Sequence, residues 1–354
     1  MSLLQFRATG FRCLADIELT PDPCLNLITG PNASGKSSLL EGLFYLGRGR
    51  SFRGSGNREL IQTGRSGFTL FGEIAVGNIQ HKAGVEVAIG ERRIRIDGDN
   101  GTSSDLAQLL PVQVIDPEIH ELVHGGPECR RRFLDWGVFH VKHQFLEAWR
   151  RYQKALRQRN AALRQNESDA EVQAWDAELI QYGEQVDQLR TEFLDDYLPL
   201  FSSIVADMLP FNANCSYKRG WSTSAGLEVA LAESWSRDRA YAATQVGPHR
   251  ADLNLQVHDH RARHWVSRGQ QKMLGAALVI AQTRFVSERI ADQLVLLVDD
   301  PAAELDRDNR NRLFEMLQDV PAQMFVTALE PEDLPWSAQG KMFHVEHGKV
   351  TALV

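Results

Sequence analysis

Residues 25–44 read LNLITGPNASGKSSLLEGLF, and this stretch decides the fold. Residues 25–29 form a short apolar run with strand character, and from Ser38 onward the apolar residues recur at helical spacing. Between them stands Gly30-x-x-x-x-Gly35-Lys36-Ser37, the phosphate-binding loop pattern in the strand–loop–helix setting it requires. Glycine lets backbone N–H groups turn toward an anion, and the helix N-terminus adds its partial positive charge. Lys36 is the candidate for the β- and γ-phosphates, and the Ser37 hydroxyl for a magnesium ion. The candidate nucleotide residues are Gly30, Pro31, Asn32, Ala33, Ser34, Gly35, Lys36, Ser37 and Ser38. A chance glycine-rich turn leaves the flanking strand and helix without a reason.

Such a loop needs carboxylates for the metal and the water, and residues 294–300, LVLLVDD, supply them. Five apolar residues predict a buried strand that ends in two aspartates. Asp299 is the metal candidate, and Asp300 is placed to orient or deprotonate the attacking water. Taken alone, this is an acidic strand end beside a turn. With the loop at residues 30–37, it predicts an ATP and Mg²⁺ site in which Lys36 and Asp300 carry the chemistry.

Lys36 and Asp299 lie 263 positions apart, far more than one compact phosphate-loop domain needs between these strands. Something is inserted. Residues 67–98 alternate apolar and polar positions between glycine breaks, which predicts antiparallel strands. Farther on, Phe145, Trp149, Tyr152 and Leu156 recur at helical spacing. After a polar tip at 165–169 so do Val172, Trp175, Leu179, Tyr182, Val186, Leu189 and Phe193. Ser168-x-x-Glu171 matches a capping box that starts the second arm. The insert reads as a short antiparallel helical hairpin.

Its charges are sorted. Residues 128–164 hold ten Lys/Arg against three Asp/Glu, and residues 167–196 hold one Arg against ten Asp/Glu. One reading pairs the two arms with each other. The other offers Arg130, Arg131, Arg132, Arg150 and Arg151 to a phosphate backbone.

The whole chain of 354 residues carries a net charge of −7, so a nucleic-acid partner would be met by a local patch and not a global field. Four scattered cysteines without a CxxC pair argue against a zinc site or a disulfide framework and for a reducing compartment. No apolar run approaches the length of a membrane span, and the first residues do not resemble a signal peptide. These features predict a soluble intracellular protein with no membrane partner. A last motif is Ser267-Arg268-Gly269-Gln270, which heads the apolar run QQKMLGAALVIAQTRFV and so occupies a helix N-terminus. An ordinary helix cap by Ser267 is its bland reading.

The order of these motifs, with Ala303-Glu304-Leu305-Asp306 following the aspartate pair, resembles the ABC-type ATPase head. Within that superfamily the sequence is similar to the RecF family of DNA-repair ATPases. The stretches GRGRSFR (47–53), GGPECRRRFLDWGVFH (125–140), LRQRNAALR (156–164), GPHRADL (247–253) and DDPAAELD (299–306) carry the resemblance, together with the loop and SRGQQK. It implies an α/β fold: an ABC-type P-loop head, residues 1–115 and 245–354, with an antiparallel β subdomain. The inserted helical arm would span 116–244. It implies that Ser267, Arg268, Gly269 and Gln270 of one chain contact the nucleotide held by a second chain's loop, giving an ATP-dependent homodimer on duplex or single-strand/duplex junction DNA. It further implies cooperation with RecR in loading a recombinase at gaps, and a nucleoid-associated location. For the nucleotide-sensing glutamine of ABC heads the candidate is Gln113, while Glu118, His120 and His124 read as surface polar groups. Two departures matter: Asp300 is one methylene shorter than the usual glutamate, and Thr327-Ala328 stands where a switch histidine is expected. Both predict slow turnover. A transporter ATPase subunit and a nucleotide-stabilised structural tether are the alternatives. The charge-sorted hairpin argues against the first, and the intact Lys36, Ser37, Asp299 and Asp300 against the second.

Overall fold

The computed structural model describes residues 1–222, 226–301, 303–336 and 340–353. Its contacts divide the chain into two compact units, Met1–Ile119 with Ala276–Val354, and His120–Gly275. Residues 245–275, which the sequence reading places with the head, fall in the second unit.

The chain opens with β1 (Ser2–Thr9), β2 (Ile17–Leu19), β3 (Leu25–Thr29), α1 (Lys36–Arg48) and α2 (Asn57–Leu60). Next come β4 (Gly67–Val76), β5 (Ile79–Ala88), β6 (Glu91–Ile96), β7 (Asp99–Asn100), α3 (Ser103–Leu109) and β8 (Val112–Ile115). The second unit supplies α4 (Glu121–His124), α5 (Pro127–Val141), α6 (Phe145–Arg164), α7 (Asp169–Gln173) and α8 (Asp176–Met208). It continues with β9 (Ala213–Lys218), α9 (Leu227–Tyr241), β10 (Asp252–Val257), β11 (His260–Arg261) and α10 (Ala262–Trp265). α11 (Arg268–Ile290) starts in the second unit and ends in the first. There β12 (Leu294–Val298), α12 (Arg307–Gln318), β13 (Ala322–Thr327), β14 (Lys341–Glu346) and β15 (Lys349–Leu353) complete the chain.

In the first unit, one sheet runs β15-β14-β3-β13-β12-β8, parallel except for its edge strand β15. Every residue of β3, β12 and β13 is buried, as befits parallel strands covered on both faces. The other sheet, β2-β1-β4-β5-β6-β7, is antiparallel throughout, and the alternation read over residues 67–98 becomes β4, β5 and β6. α1 shares one apolar cluster with both: Leu39, Leu43 and Tyr45 pack with Phe6 and Phe68 of the antiparallel sheet and with Val295 and Phe325 of the parallel one. Tyr45 and Phe11 both meet the Phe68 ring edge to face, at 5.3 and 5.0 Å between centroids. The helix that begins at Lys36 is therefore clamped along its length.

In the second unit, α6 pairs antiparallel with the arm formed by α7 and α8. The Ser168–Glu171 capping box is present, but it opens the five-residue α7, and the long α8 follows. The seam residues Tyr152, Leu156, Val172, Leu179, Val186 and Phe193 are buried. α8 runs past the seam and through Pro199, which forfeits one ladder hydrogen bond. Burial of Phe201, Ile204, Val205 and Met208 beyond the proline outweighs that loss.

The basic and acidic arms meet in the Arg159–Asp176 and Lys142–Glu192 pairs, whereas the Arg190–Asp135 pair runs against the sorting. Arg159 on α6 is fully buried and donates from Nε to Asp176 on α8 (2.7 Å) and from a terminal nitrogen to Asp238 on α9 (2.7 Å). Arg190 on α8 is likewise fully buried and forks onto Asp135 of α5 at 2.8 and 3.0 Å. Asp238→Ala leaves Arg159 paired with Asp176 but strips the buried hydrogen bond that its terminal nitrogen makes to Asp238. It should lower the unfolding free energy by about 1.5–3 kcal/mol, read as a fall in the urea midpoint.

Candidate nucleotide site

β3 ends at Thr29, and the loop turns through Gly30 (φ 143), Ala33 (φ 60) and Gly35 (φ 117) into α1. A Cβ at Gly30 would lie 2.1 Å from the Val345 carbonyl oxygen, so only glycine fits there. Gly35, the N-cap of α1, provides no side-chain cap, and the first-turn N–H groups keep their capacity for an anion. Ser34 Oγ is buried without a hydrogen-bond partner among the described residues, a polar atom that a bound phosphate oxygen would satisfy. Lys36 Nζ donates to the carbonyls of Gly30 (2.5 Å) and Pro31 (3.0 Å), which holds the ammonium over the loop. Burial pulls its pKa down, and Asp300 and Asp299 oppose that pull.

The C-terminal ends of the parallel strands face this loop, the side on which open α/β sheets bind ligands. Asp299, at the end of β12, is buried, and its Oδ1 accepts from Ser37 Oγ (3.0 Å) and from Thr327 Oγ1 (2.9 Å). Thr327 Oγ1 in turn accepts from the Asp300 backbone N–H (2.8 Å). The threonine hydroxyl thus has fixed polarity, and one side chain positions both aspartates. Asp300 stands at φ 50, a left-handed position that costs a non-glycine residue about 1–3 kcal/mol and is retained where surroundings over-determine it. These groups line a cavity of about 350 Å³ bounded by Cys13, residues 32–38, Arg53, Asp299, Asp300 and residues 327–329.

Lys36, Ser37, Asp299 and Asp300 are therefore brought together as their motifs imply. Three neighbours escaped the sequence reading. Arg53 lines the cavity with a terminal nitrogen 3.5 Å from Asp299 Oδ2, a second cation beside the loop. Thr327, read only as a missing histidine, organises the carboxylates. Asp116 follows β8, whose Ile115 pairs with Val298, so parallel register carries it to the level of Asp299. Burial and then the charge of Asp299 push its carboxyl up to about 6. The visible signal was a second apolar strand ending in aspartate, VQVID.

The remaining candidates distribute differently. Gln113 is buried inside β8 and donates to Gln282 Oε1 at 2.5 Å, away from the cavity lining. His120 is buried at 7% exposure, which corrects its reading as a surface group. Arg130 is not a surface residue either. Its guanidinium is buried and forks onto Asp252 at 2.7 and 3.2 Å, because it shares a helix stripe with buried Phe133 and Leu134 at i+3 and i+4. Arg131 donates to the Ala251 carbonyl (2.8 Å), while Arg132, Arg150 and Arg151 are exposed. In the second unit, Ser267 Oγ accepts from the Gln270 N–H (3.3 Å) and the Ser267 N–H donates to Gln270 Oε1 (3.0 Å). Ser267 and Arg268 are exposed, and Gly269 and Gln270 half-buried.

The profile of the "RecF/RecN/SMC N terminal domain" family matches residues 2–350. The DNA replication and repair protein RecF of Shewanella denitrificans is 41% identical over 359 residues, spanning all of both chains. The chain belongs to the RecF family. RecF of Stutzerimonas stutzeri is 42% identical over 363 residues, covering 100% of this chain and 98% of the relative. The solved "recombination mediator protein RecF-ATPrS in RecFOR pathway" superposes with a TM-score of 0.88 at 26% identity, over 99% of this chain and 98% of that one. An Smc head bound to the C-winged helix domain of ScpA reaches 0.64 at 16% identity, which relates the folds alone. The RecF-family α/β head with its antiparallel subdomain is thus the fold of this chain.

Thr327→Val keeps the volume and β-branching of the side chain but strips both hydrogen bonds. It should cost about 1–3 kcal/mol of stability, because the Asp300 N–H and Asp299 each lose a partner. Thr327→Ser should restore most of the loss. Urea unfolding measures both.

Proposed function

We propose that this chain is an ATP-dependent DNA-binding protein of recombinational repair and replication restart. It dimerises with ATP on duplex or single-strand/duplex junction DNA and hydrolyses slowly as a switch. What supports the reading is one observation above the rest: Lys36, Ser37, Asp299, Asp300 and Thr327 converge on one cavity in a member of the RecF family. The working head is taken as residues 1–115 with 245–354, and 116–244 as its arm. Ser267, Arg268, Gly269 and Gln270 would serve the nucleotide of a second copy, and RecR is the proposed partner in loading recombinase at gaps. Among the described residues, no helix is long and apolar enough to cross a membrane.

Ser37 and Asp299 suit Mg²⁺: a hydroxyl and a buried carboxylate 3.0 Å apart, with Asp116 beside them, form an all-oxygen donor set. When bound, the ion supplies charge neutralisation on the phosphate oxygens. The α1 N-terminus and Lys36 bind the triphosphate, and Arg53 adds positive charge at the cavity wall. Thr327 holds Asp299 still. Asp300, fixed through its backbone N–H, orients the water and takes its proton.

DNA binding measured with ATP, ADP and no nucleotide, followed by sizing of the bound species, tests the function. Tight binding by an ATP-dependent dimer is expected, and nucleotide-independent binding by a monomer overturns it. Asp300→Asn should bind ATP as the parent does, nearly stop hydrolysis and prolong the life of the dimer, since Asp299 is untouched. Parental turnover in that variant would remove Asp300 from its role.

A further inference from the structure

The second unit carries a basic and aromatic surface immediately before Ser267. β10 and β11 are joined by a two-residue turn in which His258 (φ 48) and Asp259 (φ 64) are both left-handed, the pattern of a type I′ turn. This sets His260 opposite Val257 and Arg261 opposite Gln256. α10 then returns so that the Trp265 indole stacks on the His260 ring, with centroids 4.3 Å apart and planes 20° apart. Trp265 nonetheless remains 56% exposed. An indole on a four-residue helix that meets solvent over half its surface does little for a core.

Arg261 and Arg263, the chain neighbours of the stacked residues, line a cavity of about 60 Å³ together with Arg130, Lys218, Asp252 and Asn254. Its one carboxylate, Asp252, is taken up by the buried Arg130. Lys218, Arg261 and Arg263 are exposed, and none of the three forms an ion pair among the described residues. The open side of the sheet around them is polar and uncharged, with Asn254 paired to Ser216 and Gln256 to Asn214. Three uncompensated cations around a small cavity suit a phosphate. An exposed π-stack next to them suits an unpaired base, which a duplex keeps inside its own stack.

We infer that the β10–β11–α10 surface is a subsite for single-stranded DNA, in which Lys218, Arg261 and Arg263 hold backbone phosphate while an unpaired base extends the His260–Trp265 stack. The class of the occupant rests on the DNA-binding function proposed above. The subsite itself would give this chain a grip on the single-stranded side of a junction.

The test uses the full chain with ATP, a labelled oligothymidylate and a labelled blunt duplex, followed by anisotropy. Trp265→Ala should weaken oligothymidylate binding by about ten-fold, and Trp265→Phe should recover most of it. Arg261→Gln with Arg263→Gln should weaken it further and flatten the salt slope by about 1.4, two phosphates at about 0.7 each. Duplex binding and the size of the ATP dimer should stay at parental values. Unchanged oligothymidylate affinity, or an equal loss on duplex, overturns the subsite. If the parent still binds duplex, the DNA function survives that result; if the parent binds no DNA in any nucleotide state, both fall. Loss of the ATP dimer with monomer affinity for DNA intact would assign the surface to contact between copies and also overturn the inference.

Discussion

Lys36→Met should reduce ATP affinity by two orders of magnitude or more, with the fold intact. The ammonium is the loop's only point charge, and charge-assisted hydrogen bonds to phosphate contribute about 1.5–3 kcal/mol each. Losing two of them corresponds to roughly 100-fold or more in Kd. Methionine keeps the unbranched stem, so α1, buried through Leu39, Leu43 and Tyr45, has no reason to shift. Calorimetric titration with ATP gives the affinity, and thermal unfolding without nucleotide checks the fold. Equal affinity in parent and variant would dismiss the loop as the site.

The second large effect separates a helix cap from a shared site. If the Ser267–Gln270 contacts only cap α11, Ser267→Arg costs about 1 kcal/mol of stability and little else. If the stretch serves a second copy's nucleotide, the variant should bind ATP as a monomer, form no ATP dimer and show no turnover. Mixing it with Lys36→Met chains makes the sharper demand. One chain then has a sound loop and the other a sound Ser267–Gln270 stretch, so a mixed two-fold dimer holds one complete site of two. With random pairing, activity should reappear at up to about a quarter of the parental rate, where neither variant alone shows any. An ATP dimer formed by Ser267→Arg alone would leave only the cap.

What was legible depended on how local the determinants are. The residues 30–37 loop and the run LVLLVDD each contain their own instructions, glycines at fixed offsets and an apolar run ending in acid, and both settled where expected. Arg53 and Thr327 reach the cavity, and Asp116 the level of Asp299, through strand register and packing, which no short window reports. Thr327 is an unremarkable strand residue until β13 lies beside β12, where Val298 pairs with Val326. Arg130 erred the other way. Three consecutive arginines suggested a surface, but a helix turns 100° per residue, and the first of the three pointed toward Asp252. Of the hairpin seam, Tyr152, Leu156, Val172, Leu179, Val186, Leu189 and Phe193 are buried, while Trp149, Trp175 and Tyr182 are half-buried and the second arm breaks at Trp175. Beyond the seam, α8 continues through Pro199, where burial of Phe201 and Ile204 offsets the lost hydrogen bond.

The strand order of the parallel sheet bears on how the molecule is born. β3, which leads into the phosphate loop, is made among the first thirty residues, yet its two neighbours, β13 and β14, are among the last. A ribosome adding about 5–20 residues per second takes roughly 13–50 s to travel the 263 positions from Lys36 to Asp299. Throughout that interval the loop has no carboxylates facing it and β3 has no strand on either side. The span 120–275, by contrast, leaves the ribosome as one continuous piece that already contains both partners of its Arg159–Asp238 and Arg190–Asp135 pairs. Nucleotide capture is therefore a late event in biosynthesis. A nascent chain stalled before β12 should carry a folded arm and an intact loop sequence while showing no affinity for ATP.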